Sequence, residues 1–96
     1  MPLAEAGNAQ AQCHVASMYQ GGFGLPADGA KAVEWYLKAA LQEEYAGRIS
    51  GVAYNNLGTI YGTGMPGVQP DPAKAKEYWR KAVELGVEMI PKDWYT

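Results

Sequence analysis

The chain has 96 residues, room for one compact domain with a modest core, and a net charge of -2 with no gathered Lys/Arg face to suit nucleic acid. No apolar run approaches the ~18 residues of a membrane span, and the opening "MPLAEAGNAQ" lacks the basic start and apolar stretch of a secretory signal, so a cytoplasmic location is expected. Gly reaches 12, and the aromatic set is 7 Tyr, 3 Trp and 1 Phe, a mix that suits helices in close approach with rings filling the gaps.

The first periodic segment covers roughly residues 9–20, where Ala11, Val15, Met18 and Tyr19 fall on one helical face. The glycine-rich turn "QGGFGLPAD" follows, and Asp28 stands where the N-cap of a second helix (29–42) belongs. In that helix Ala32, Tyr36 and Ala39 mark an inner stripe with Trp35 beside it, while Lys31, Glu34 and Lys38 form an outer charged lattice. A connector, "LQEEYAGRISGV" at 41–52, leads to a third helix (52–62), a second glycine-rich turn "GTGMPGVQPD", the N-cap Asp71 with Pro72 at the first helical position, and a fourth helix (72–85). The chain ends in "VEMIPKDWYT", where Pro91 halts any further helix.

The second half repeats the first. Ala11, Val15, Met18, Tyr19 and Gly22 recur as Ala53, Leu57, Ile60, Tyr61 and Gly64, all 42 positions later. One extra residue, Pro66, then moves the offset to 43, at which Asp28, Ala30-Lys31-Ala32, Glu34 and Lys38-Ala39 recur as Asp71, Ala73-Lys74-Ala75, Glu77 and Lys81-Ala82. Each copy is an αα-hairpin that cannot bury its apolar stripe alone, so the copies are expected to stack and share a core.

These segments, "AYNNLGTIYGTG", "GV" and "DPAKAKEYWRKAV" in the second copy and "AQCHVASMYQGG", "GL" and "DGAKAVEWYLKAA" in the first, resemble the Sel-1-like repeat family, relatives of the tetratricopeptide repeat. The resemblance implies an all-α fold: a right-handed α-α superhelix, or short solenoid, of two helix-turn-helix repeats plus partial caps. On this reading residues 1–96 form a single domain, with repeat one at about 8–43, repeat two at about 50–86 and a C-terminal cap at 87–96. Val15-Ala16 replaces the family's usual Leu-Gly, so Ala16 places a bulkier side chain than glycine where helices cross. The connector is longer than usual, so the third helix can start early. "LAEAG" at 3–7 resembles the tail of a preceding repeat, so both a short protein with improvised caps and a section of a longer array stay open. Trp94 and Tyr95 are candidates to cover the exposed end, and self-association through uncovered ends is a further expectation.

No catalytic constellation stands out. Cys13 and His14 are adjacent, but helical neighbours point about 100° apart, and no third group orients them. One Cys and one His would need carboxylates to complete a zinc site. Glu43-Glu44 reads as solvated connector, and the glycine turns follow helices rather than strands, unlike phosphate-binding loops. Neither enzyme activity, a metal nor a cofactor is expected. In helical repeats of this kind the first helices line the concave side. There the expected partner-binding residues are Gln10, Cys13, His14 and Ser17 on the first copy, and Asn55, Asn56 and Thr59 on the second with Tyr54 flanking and Val52 at the same face. The function implied is a protein–protein interaction module, an adaptor or scaffold in a bacterial assembly that takes a peptide or protein partner. The alternatives are a small immunity or inhibitor protein that neutralises a bacterial toxin, a hydrolase using Cys13 or His14, and a purely structural slice of a longer solenoid.

Overall fold

The computed structural model describes residues 8–22, 26–41, 43–88 and 90–95, with residues 43–48 described as backbone only. The "LAEAG" segment and the centre of the first glycine-rich turn lie outside the described residues. Four α-helices follow in order: α1 (Ala9–Gly21), α2 (Gly29–Ala40), α3 (Glu43–Thr63) and α4 (Pro72–Glu84), with a final 3₁₀ turn at Lys92–Trp94. The sole β-type pairing among the described residues is the bridge between Met65 and Val68. The fold is therefore the expected all-α solenoid.

Local chemistry sets the helix ends. The Asp28 and Asp71 carboxylates accept from the N–H groups of Lys31 (3.1 Å) and Lys74 (3.2 Å), as expected of N-caps. Asn8 does the same for Ala11 N–H (2.9 Å). Gly22 and Gly64, equivalent in the repeat, end α1 and α3 with φ near +73° and +75°. Each repeat then closes its hairpin in the same way: Asp28 N–H donates to the Tyr19 carbonyl (2.9 Å) and Asp71 N–H to that of Tyr61 (2.7 Å).

The long connector does bring the early start of α3 that its length allows. Most of 41–52 is helical, and α3 starts at Glu43, nine residues before the helix expected at 52–62. The side chains of Glu43 and Glu44 lie outside the described residues.

Successive helices pack on one another, and α2 lies against both α1 and α3, while α1 and α3 touch lightly. The molecule measures 38 × 30 × 17 Å, its thin axis fitting two layers of helix. Ala32, Tyr36, Ala39 and Ala40 of α2 are buried with Ala53, Leu57 and Ile60 of α3, so the core runs across the junction of the two copies. The shared wall also carries polar bonds. The buried Ser50 hydroxyl donates to the Ala39 carbonyl (3.0 Å). Gly29 N–H, at the first position of α2, donates to the carbonyl of Pro66 (2.7 Å), the inserted residue of the second copy. A Cβ on Gly29 would fall 2.6 Å from that same oxygen and from Met65 Cγ, so this backbone approach requires glycine.

The two copies solve their internal packing differently. In the second, Gly58 and Gly62 of α3 form a floor for the Trp79 indole: a Cβ on Gly58 would stand 2.5 Å from Trp79 Cδ1 and Nε1, and one on Gly62 2.9 Å from Cη2. In the first, the equivalent positions are Ala16, Gln20 and Tyr36, and the Tyr36 hydroxyl donates to Gln20 Oε1 (2.7 Å). The smaller ring of Tyr36 makes room for the methyl of Ala16. Trp94 lies over Trp79 with ring centroids 5.0 Å apart, Arg80 Nη2 donates to the Tyr95 carbonyl (2.9 Å), and Val87 and Ile90 are buried. The segment after α4 thus straps the outer end of the second copy.

Candidate functional site

On the face where α1 and α3 run side by side, two adjoining depressions open. The larger, of about 570 Å³, is lined by Asn8, Gln10, Ala11, Cys13, His14 and Ser17 of the α1 region, Tyr36 of α2 and Asn56 of α3. The smaller, of about 330 Å³, is lined by Gln10, Cys13, Ile49 and Val52. Gln10 and Cys13 border both, so the two form one channel along the α1–α3 seam. Its origin lies in helical periodicity: positions 10, 13, 14 and 17 share one side of α1, and 49, 52 and 56 share one side of α3.

Five of the eight expected site residues are brought together here: Gln10, Cys13, His14, Ser17 and Asn56. Asn55 and Thr59 do not line the channel. Both are half-buried, and the Thr59 hydroxyl donates to the Asn55 carbonyl (3.2 Å). Tyr54 is a correction. It is only 4% exposed, its ring stacked on Tyr78 at 5.9 Å with Lys81 Nζ 5.5 Å above it, and so belongs to the core. Its equivalent in the first copy, Gln12, is buried too. Ala11, expected to turn inward, is half-buried in the channel wall. Asn8 and Ile49 had not been singled out. Ile49 falls within the connector, where a helix start at 52 hid its register. Asn8 precedes the periodic stripe.

The described residues of the channel wall carry no carboxylate, ammonium or guanidinium. Burial pushes the Cys13 thiol up to about 11, the opposite of the depressed value that activates a nucleophilic cysteine. No hydrogen bond among the described residues joins Cys13 to His14. The Ser17 hydroxyl donates to the His14 carbonyl (2.8 Å), leaving its lone pairs for an incoming donor. The Gln10 and Asn56 carboxamides each offer both donor and acceptor atoms. Among the described residues no group of three or more His, Cys, Asp or Glu could hold a metal ion.

Two hairpins in register, stacked through a common core and open along the seam of their leading helices, define a helical-repeat module. A family model for the Sel1 repeat matches residues 9–43 and again 51–87, and the chain belongs to that family. Sel1 repeats are generally protein–protein interaction modules. No curated protein and no solved structure matches the chain. No helix among the described residues is long and apolar enough to cross a membrane.

Proposed function

We propose that the protein is a non-enzymatic adaptor that holds a peptide or protein partner in the channel between α1 and α3, on the concave side of the solenoid. The observation that carries this is the convergence of two carboxamides, Gln10 and Asn56, from different repeats on one open channel with an apolar floor. Binding sites combine this kind of concave apolar surface with a few placed polar groups. Asparagine and glutamine side chains can pair with both the N–H and the C=O of an extended chain, which favours a polypeptide ligand. The raised Cys13 thiol weighs against the hydrolase alternative.

The test is capture of partner from source-cell extract by the protein and by a Gln10→Ala/Asn56→Ala variant, with Asn55→Ala as control. The double variant should lose capture at an unchanged melting temperature, and Asn55→Ala should keep it. Equal capture by the double variant removes the channel from the function.

A further inference from the structure

Two long stretches of this chain carry no charged side chain of the Asp, Glu, Lys or Arg kind. Between Glu5 and Asp28, and again between Arg48 and Asp71, there is not one Asp, Glu, Lys or Arg. Those stretches hold all of α1 and all of α3 from Ile49 onward, the two walls of the channel. The outer lattice of α2 and α4, by contrast, carries Lys31, Glu34, Lys38, Lys74, Glu77, Arg80 and Lys81. Among the described lining residues, none has a carboxylate, an ammonium or a guanidinium.

A charged side chain entering such a channel would lose water and meet no carboxylate, ammonium or guanidinium among the described lining residues, an expensive exchange even when partly solvated. An aliphatic side chain loses nothing of the kind. The smaller depression offers it Ile49, Val52 and the protonated Cys13 thiol. At about 330 Å³ it lies at the low end of the ~300–1,000 Å³ typical of ligand pockets, a size for side-chain capture and not for a folded element. Gln10 lines it and Asn56 lines the adjoining larger depression, so their carboxamides can pair with backbone amides of a segment that runs through both.

We infer that the channel selects an uncharged, extended peptide segment, with an aliphatic side chain seated against Ile49, Val52 and Cys13 and its backbone held by Gln10 and Asn56. This rests on the adaptor reading above and narrows it to one class of partner. Selection is by exclusion: walls without a carboxylate, ammonium or guanidinium discriminate against charged sequences while the polar contacts accept any backbone.

The experiment uses the full chain, isotopically labelled, titrated with three pools of short synthetic peptides: neutral with central Leu, Ile or Val, acidic, and basic. The side-chain amide resonances of Gln10 and Asn56 report the channel directly. The neutral aliphatic pool should shift them and bind at least about tenfold tighter than either charged pool, a difference of about 1.4 kcal/mol. Val52→Glu, a change at a position 42% exposed, should reverse that order in favour of the basic pool. A charged pool that binds the unmodified protein best while moving those resonances overturns the neutral class and leaves the adaptor reading standing. If no pool moves them, both fall.

Discussion

Replacing Gly58 by alanine places a methyl carbon where the Trp79 ring already is, with 2.5 Å to Cδ1 and Nε1 and no flexible chain end to yield. Overpacking of this sort costs about 1–3 kcal/mol. Alanine is preferred to glycine inside a helix by roughly 0.8–1 kcal/mol, which offsets part of it. Contacts as short as 2.5 Å call for the upper part of the overpacking range, roughly 2–3 kcal/mol, so Gly58→Ala should destabilise by about 1–2 kcal/mol in all. Trp79→Tyr, which trims the indole and leaves a gap, should cost a similar ~1–2 kcal/mol. The first repeat, however, combines Ala16 with Tyr36 at the equivalent positions and buries both. Gly58→Ala/Trp79→Tyr should accordingly lose no more than Trp79→Tyr alone, because the smaller ring vacates the space the methyl needs. That amounts to a coupling of about 1–2 kcal/mol between the two sites, well above the ~0.5 kcal/mol within which independent changes add. Urea and thermal unfolding of the four proteins measure it, at about 4–8 °C per kcal/mol for a domain of this size. Losses that simply add would refute the claim that ring size and glycine were matched within each copy.

Gly29→Ala should lower stability by about 1–3 kcal/mol, since its methyl would collide with the Pro66 carbonyl and push apart the two repeats, and denaturant unfolding checks it. An unaltered or raised midpoint would mean that the inter-repeat contact is not made. Ser50→Ala removes the buried bond to the Ala39 carbonyl (3.0 Å) and should cost about 1 kcal/mol by the same assay, with a null effect counting against this junction. Burial disfavours the Cys13 thiolate, so alkylation of the native protein should be slow at neutral pH and rise about tenfold per pH unit through pH ~10. A rate that levels off near the ordinary thiol value of ~8.5 would show an unhindered thiolate.

Features written locally were legible in the sequence. The N-caps Asp28 and Asp71, the left-handed glycines Gly22 and Gly64, and the stripe Ala32, Tyr36, Ala39 all depend on neighbours within one or two turns. The 42-to-43 slip at Pro66 was visible, though its purpose was not, because the Gly29 bond joins residues far apart in the chain. The site was half legible for a related reason. A stripe of Ala11, Val15 and Tyr19 set the helix phase, but position 12 and its equivalent 54 are also buried, so the inward face is wider than that stripe and Tyr54 went to the wrong side. Gln12 disguised the position, since a polar residue there reads as surface. Ile49 was hidden by the connector, whose Glu43-Glu44 and Gly47 resemble a loop while in fact opening α3.

The Gly29–Pro66 joint has a direction. It needs an amide hydrogen at the first position of one copy's second helix and a protruding carbonyl in the turn of the next. Gly29 supplies the hydrogen, but its counterpart, Pro72, has none to give. The two copies are therefore not interchangeable tiles. Exchanging their order would leave the amide and the carbonyl facing away from each other, and any unit laid beyond the second would have to be fastened by a different kind of clasp.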